Sequence, residues 1–326
     1  MFLVTGGAGF IGSNIVAALN EAGHADVVVS DFLGDEGKWR NLAKRQISDV
    51  VPPGELMAWL RGRRLSGVIH MGAISATTAT DGDLVFETNY RLSMRLLDWC
   101  TVNPTPFIYA SSAATYGDGT QGFRDDNSLE ALKALRPMNL YGWSKYLFDV
   151  AVATRVAKNE TLPPQWAGLK FFNVFGPNEY HKGSMMSVLT RRFDDIKHGK
   201  TIQLFKSHRE GIADGDQRRD FIYIDDVLRV VMWLVDNPRV SGIFNVGTGK
   251  ARSFRDLIVA VYAALGAREK IAYIDMPEEI RGSYQYFTEA DGEHLRRAGY
   301  NGGFTPLEDS VASYVKNFLD RPDRYR

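Results

Sequence analysis

Apolar positions in the first half of the chain fall into short runs rich in β-branched residues. Longer stretches separate them, in which apolar side chains recur every three or four positions. Phe2–Thr5, Asp26–Ser30, Gly67–Met71, Pro106–Ser111 and Gly168–Phe172 read as buried strands. Gly9–Ala22, Leu84–Cys100 and Tyr141–Ala157 read as amphipathic helices between them. Such alternation is the pattern of βαβ units with right-handed crossovers, so an α/β fold with a doubly wound parallel sheet is expected. After Phe172 the rhythm breaks into a glycine-rich, charged stretch, Gly176–Asp220, where a smaller α/β lobe is expected to begin. A strand and helix over Phe221–Asn237 and a strand over Ile243–Val246 are expected to return to the main domain. The division is then 1–172 with 221–247 against 173–220 with 248–326.

Length and charge narrow the picture. At 326 residues the chain exceeds what one core usually supports, so one large domain or two fused lobes is the expected range. Lysine plus arginine (39) balance aspartate plus glutamate (39), with a pI near 7.0. No bulk field draws in a nucleic acid or an acidic membrane surface. The single cysteine, Cys100, forms neither an internal disulfide nor a metal cluster, which points to the cytoplasm and to no metal site. The N-terminus is apolar but has no basic flank, and its glycines interrupt it, so it does not read as a signal peptide. The apolar run Val227–Val235 is broken by Arg229 and is far shorter than the roughly 20 residues that cross a bilayer.

Chemistry enters first at Gly6-Gly7-Ala8-Gly9-Phe10-Ile11-Gly12, where a strand runs through a glycine turn into a helix. Gly6, Gly9 and Gly12 let the turn close and the backbone approach a pyrophosphate, whose charge the helix N-terminus stabilises. This is the arrangement of a Rossmann dinucleotide site. Asp31 ends the second strand, placed to accept hydrogen bonds from the adenosine ribose, which by itself favours NAD. Lys38 and Arg40 are candidate cations for a 2′-phosphate, or a solvated cluster at a helix start.

A second feature is Tyr141-x-x-x-Lys145, which puts a phenol and an ammonium one helical turn apart on one face. A neighbouring cation, with the positive nicotinamide ring, favours the phenolate and makes a base near neutral pH. An ordinary tyrosine beside a solvated lysine shows the same spacing. A third feature is the buried strand of Pro106–Gly117, which ends in hydroxyl residues at the carboxyl edge where open α/β sheets place ligands. There Ser112 either orients the reacting sugar oxygen toward Tyr141 or satisfies its own turn.

Glycine loop, strand-end serine and Tyr-Lys pair occur in this order, and over nearly its whole length the chain resembles the extended short-chain dehydrogenase/reductase family. Further stretches draw the resemblance toward its branch of ADP-heptose epimerases. They include Phe172-Asn-Val-Phe-Gly-Pro177, Arg219-Asp-Phe221 and Gly242–Gly249, which many extended members share. His181-Lys182-Gly183-Ser184-Met185 and Tyr284-Gln285, within Gly282–Thr288, are the discriminating pieces. The resemblance implies a nucleotide-sugar substrate, bound NADP with NAD as the alternative, a homo-oligomer, and inversion of C6″ by transient oxidation. In that scheme Tyr141 or Lys182 takes a proton, hydride passes to the nicotinamide, and it returns to the other face of the ketone. Lys145 holds the cofactor ribose and lowers the pKa of Tyr141, while Ser112 positions the substrate oxygen.

Phe10, Ile11, Asp31, Lys38, Ser75, Asn89 and Val174 match the family's cofactor-binding positions. Asn173, Ser184, Arg219 and Tyr284 match its substrate positions. On residue chemistry alone, Lys182 also reads as a solvated loop cation, and Arg219 as a surface ion pair with Asp220 or Asp225. Several positions depart from the family. Phe32 stands where asparagine is common, Met71 replaces a glutamate, and Pro53 falls near a cofactor-contacting lysine. Arg191 replaces a histidine, Phe205-Lys206-Ser207-His208 differs from the usual run, and the charged loop Arg209–Gln217 has no counterpart. Phe32 and Met71 are nonetheless expected at the cofactor, and Arg191 and Phe205 at the substrate. The nearest alternative is a UDP-hexose 4-epimerase, which does not require Lys182. A 4,6-dehydratase would carry an Asp-Glu pair where Ser111-Ser112 stands, and a non-catalytic dinucleotide sensor predicts a broken Tyr-Lys pair.

Overall fold

The computed structural model describes residues 1–281 and 284–326. Its strands are β1 Phe2–Thr5, β2 Val27–Ser30, β3 Asp49–Val51, β4 Gly67–His70, β5 Phe107–Ser112, β6 Trp166–Phe171, β7 Asn173–Phe175, β8 Ile202–Phe205, β9 Arg218–Tyr223, β10 Gly242–Val246, β11 Ala251–Ser253 and β12 Ile271–Ile274. Seven of them make one parallel sheet in the order β10-β6-β5-β4-β1-β2-β3. Such strands are covered on both faces, which is why they read as unbroken apolar runs. Alternate residues of β1, β2 and β4 serve two cores. Val4, Val27, Val29 and Ile69 face the helices Phe10–Glu21 and Ile224–Asp236. Leu3, Val28 and Val68 face Leu96, Leu97 and Cys100 of Leu92–Val102 and Phe148 and Val152 of Leu140–Ala157. Strand order reverses between β1 and β4, and a crevice opens there at the carboxyl ends.

The helix expected over Leu84–Cys100 is contiguous from Gly82 to Val102 but contains a wide π-turn at Phe86–Arg91. π-turns of this kind recur at functional sites, and this one carries Asn89. The strand expected to return to the main sheet at Phe221 does not join it. The chain peels away after Phe172, β7 offers a free edge, and β9 pairs with β7 and β11 in a separate three-stranded sheet. The helix Ile224–Asp236 that follows packs on Phe10–Glu21, and β10 pairs with β6. Nor is Gly176–Asp220 irregular throughout. It holds the helix Val188–Lys197, capped by the Ser187 hydroxyl, and β8, which pairs with β12.

Residues 320–326 run back across the molecule. Arg324 forks onto the Asp194 carboxylate at 3.0 and 2.7 Å, and the Tyr180 hydroxyl donates to the Arg324 carbonyl at 2.7 Å. The Arg326 amide donates to Asn178 Oδ1 at 3.0 Å. Among the described residues no helix is long and apolar enough to cross a membrane.

Candidate active site

Glycine is required at two points of the first turn. Gly6 has φ +64°, and a Cβ there would lie 2.6 Å from the Gly72 amide nitrogen. A Cβ on Gly12 would come within 2.1 Å of the Gly6 carbonyl oxygen. Helix Phe10–Glu21 starts at Gly9 with no side-chain cap and no acidic residue in its first turn, so its leading amides are left for an external anion. Phe10 is buried and Ile11 partly so beside them. This cradle fits a dinucleotide pyrophosphate.

At the end of β2, Asp31 accepts from the Ala8 amide at 2.9 Å and from Lys38 Nζ at 2.7 Å. Lys38 also donates to the Phe32 carbonyl at 2.8 Å, so it is tied to the strand end rather than solvated. The Phe32 ring is 66% exposed and offers no polar contact, and Arg40 faces solvent. Asn41, which the sequence reading did not single out, donates from Nδ2 to the Ala8 carbonyl at 2.8 Å and to the Asn178 carbonyl at 3.1 Å. It thereby joins the glycine loop to the segment that carries Lys182.

The loop after β4 is held by a chain of hydrogen bonds whose direction is fixed from its ends. The Ser93 hydroxyl donates to the Asn89 carbonyl at 2.6 Å, and the Gly72 amide donates to Thr5 Oγ1 at 3.1 Å. His70 therefore donates from Nε2 to Ser93 and accepts at Nδ1 from Thr5, over 2.8 and 2.6 Å. Burial, helped by the nearby Lys145, pushes the His70 pKa down to about 3, which agrees with a neutral ring. Asn89 brackets Ile74, accepting its amide at 2.8 Å and donating to its carbonyl at 3.0 Å, and also donates to the Ser144 hydroxyl. Met71 is half-buried in this loop with its amide on the Thr5 carbonyl, and Ser75 is exposed on its outer side. Pro53 starts the turn after β3, its carbonyl facing the Leu56 amide.

Helix Leu140–Ala157 begins at Asn139, whose side chain accepts from the Gly142 amide at 2.8 Å. A Cβ on Gly142 would stand 2.7 Å from the Ala114 carbonyl oxygen, so glycine lets this helix press on the turn Ala113–Tyr116. Ser112 caps that turn, and its hydroxyl faces the phenol of Tyr141. Tyr141 is half-buried, and burial raises its pKa while Ser112 works the other way. Lys145, one turn on and 3% exposed, is pushed down to about 8 by burial, with Asp149 opposing. Without cofactor, burial is the largest influence on both groups, and Lys145 keeps most of its charge near neutral pH.

Lys182 lies in the short helical segment Tyr180–Met185, which kinks at Gly183 (φ 54°, ψ −121°). Its ammonium sits 5.4 Å from the Phe10 ring centroid, and burial lowers its pKa while the buried Glu179 resists. No hydrogen bond or ion pair among the described residues joins it to Tyr141 or Ser112. Ser184 and Arg191 meet at the surface, Arg191 Nη1 donating to the Ser184 carbonyl at 3.1 Å. Asn173 is exposed at the head of β7, and Val174 beside it is half-buried.

Arg219 is only 8% exposed, and its guanidinium lies 5.6 Å from the Phe254 ring and 5.3 Å from the Tyr284 ring. The alternative of an ion pair with Asp220 or Asp225 does not hold. Asp220 is taken up by the Thr248, Gly249 and Ala290 amides and the Thr248 hydroxyl, and Asp225 by Arg326. Burial lowers the Arg219 pKa, and no carboxylate is paired with it among the described residues, which makes it a ready anion contact. Phe205 meets Tyr284 edge-on at 6.4 Å, and Gln285 Nε2 donates to the Gly117 carbonyl at 2.7 Å, closing this wall onto the Ser112 turn. The charged loop Arg209–Gln217 folds back on Phe205, with Gln217 donating to the Phe205 and Lys206 carbonyls. Gly282 and Ser283, at the head of the Tyr284 stretch, lie outside the described residues.

The model of the NAD dependent epimerase/dehydratase family matches residues 2–247. A curated relative from Nitratidesulfovibrio vulgaris (strain DP4), named ADP-L-glycero-D-manno-heptose-6-epimerase, is 48% identical over all of both chains. One of the same name from Fusobacterium nucleatum subsp. nucleatum is 45% identical, again over all of both chains. Among solved structures, the Helicobacter pylori ADP-L-glycero-D-manno-heptose-6-epimerase superposes with a TM-score of 0.80 at 29% identity, covering 97% of this chain and 95% of that one.

Proposed function

Because the chain belongs to the NAD dependent epimerase/dehydratase family, we propose that it is a nucleotide-sugar epimerase that inverts C6″ of ADP-D-glycero-D-manno-heptose. The observation that carries this reading is the Ser112, Tyr141 and Lys145 group together with a buried cation, Arg219, held against the Phe254 and Tyr284 rings. The first supplies acid/base chemistry at a carbinol and the second suits a diphosphate. When bound, the nicotinamide accepts a hydride from C6″ and returns it to the opposite face of the resulting ketone.

Burial alone keeps Tyr141 protonated. With the cofactor bound, its positive ring and Lys145 would favour the phenolate, which takes the C6″ hydroxyl proton while Ser112 holds the oxygen and Lys145 binds the cofactor ribose. Lys182 is the second acid/base. It delivers the proton to the ketone oxygen once the carbonyl has turned, so the sugar regains the proton and hydride it lost with no net oxidation, and exchange with water returns Tyr141 and Lys182 to their starting protonation states. Its lowered pKa and glycine-flanked segment support that role.

The dinucleotide is assigned to residues 1–172 with 221–247, less the part of β9 up to Tyr223 that pairs in the separate sheet, and the nucleotide sugar to 173–220 with 248–326. NADP is the proposed cofactor. Lys38 puts a cation beside Asp31 and offsets the carboxylate that would repel a 2′-phosphate. In Lys38→Ala, NADP affinity should fall about tenfold or more and NAD affinity much less, in line with a lost charge-assisted contact. Tighter NAD than NADP binding by the unaltered protein would reverse the assignment. Cys100, buried and unpaired, supports a cytoplasmic location. Exposed Trp143 and Val156 on one helix and Val102 on its neighbour support a homo-oligomer.

The deciding assay incubates the protein with ADP-D-glycero-D-manno-heptose and, separately, UDP-glucose, and reads products by NMR. Inversion at C6″ of the heptose alone supports the reading, and conversion of UDP-glucose replaces it with a hexose 4-epimerase. Tyr141→Phe should lose at least about 100-fold in kcat, the scale of a general base. Lys182→Met should block inversion while cofactor binding persists.

A further inference from the structure

Lys170 is the last residue but one of β6 and is 1% exposed, an unusual place for an ammonium. All three of its protons have a destination. One goes to Asp149 Oδ2 at 3.2 Å, one to Thr115 Oγ1 at 2.7 Å, and one points toward the face of Tyr116, 4.5 Å from the ring centroid. Each destination belongs to a different piece of the site. Asp149 lies one turn beyond Lys145 and two beyond Tyr141 on helix Leu140–Ala157. Thr115 and Tyr116 belong to the turn that Ser112 caps, and Thr115 donates onward to the Ser112 carbonyl at 2.8 Å. Asp149 is further held by the Ser111 hydroxyl at 2.7 Å and the Tyr109 hydroxyl at 3.2 Å, and Ser111 is the register partner of Lys170 across β5 and β6.

We propose that Lys170 is a positioning residue. Its buried ammonium fixes the Ser112 turn to the helix bearing Tyr141 and Lys145, and so sets the Ser112–Tyr141 geometry in which the substrate oxygen is gripped. The inference rests on the reading of Tyr141 as the base. Removing Lys170 leaves the Asp149 carboxylate buried and uncompensated, so Lys170→Met should cost stability as well as reaction geometry, and the two are separated by Thr115→Val, which keeps the charge pair. Displacements of about 1 Å at a reacting centre cost on the order of 100-fold in rate.

Three variants test this in the full-length protein: Lys170→Met, Thr115→Val and the double variant. Thr115→Val removes both the contact with Lys170 and the onward bond to the Ser112 carbonyl, keeps the charge pair and stays isosteric, so it decides the matter with the double variant, or alone should Lys170→Met fail to fold. The expected result is a kcat about 10- to 100-fold lower in Lys170→Met and several-fold lower in Thr115→Val, with KM within about threefold of the parent. The double variant should be no worse than Lys170→Met, because both cut one chain of contacts. Amide hydrogen exchange over residues 113–116, which needs no substrate, should quicken in both single variants. Unchanged kcat in Thr115→Val, additive losses in the double variant, or unchanged exchange would overturn the proposal. An unaltered protein that turns over no heptose counts against the function reading only, and the exchange rates then decide the positioning claim alone.

Discussion

Lys145 is buried to 3% exposure with its pKa pushed down to about 8 from 10.5, so it binds fewer protons folded than unfolded between those two values. Stability rises with pH wherever the unfolded state holds more protons. The unaltered protein should therefore gain stability relative to Lys145→Met as pH goes from 8 to 10.5. The gain is on the order of 3 kcal/mol at 1.36 per unit, seen by denaturant titration at each pH. Over the same range cofactor affinity should fall, because the cation that holds the ribose is lost. For Arg219 the test is Arg219→Lys. A point charge cannot stack between Phe254 and Tyr284, so KM for the nucleotide sugar should rise about tenfold with kcat little altered. Single residues were legible where the signal is local: Tyr141 with Lys145, the glycines, and Asp31 at a strand end. Lys170, Asn41 and His70 were not, because their partners Thr115, Asn178 and Ser93 lie far along the chain and only folding brings them together.

Two elements meet without side chains at Gly142, where helix Leu140–Ala157 crosses the Ala113–Tyr116 turn. Gly142→Ala forces a methyl to 2.7 Å from the Ala114 carbonyl oxygen, and overpacking of this kind costs about 1–3 kcal/mol. Its melting temperature should drop by several degrees and kcat should fall with it, since the helix moves off the Ser112 turn. Gly82→Ala is the control, for its Cβ meets open space, and its Tm should hold or rise slightly. The central strands were readable because parallel strands buried on both faces leave an uninterrupted apolar trace. β3, β7 and β11 have three residues each and half-exposed patterns, too short to register. The misplaced β9 has an apolar centre that suits either sheet, and its choice is set by the free edge of β7.

Across the whole molecule, a few polar ties bind one end of the chain to the other. Asn178 is the hub: its carbonyl receives Asn41, its Nδ2 donates to Ser13, and its Oδ1 receives the Arg326 amide. Removing residues 324–326 should leave the central sheet and cofactor binding intact. Exchange of the amides over 178–187 should quicken, and KM for the nucleotide sugar should rise, as measured by exchange mass spectrometry and steady-state kinetics. The tie from Arg326 reaches back 148 positions, whereas the central sheet has all its strands once β10 is made. During synthesis the dinucleotide cradle is therefore finished well before the Lys182 segment is secured. A chain halted after β10 should therefore take up cofactor yet fail to act on sugar, as cofactor binding and turnover by such a truncation would show.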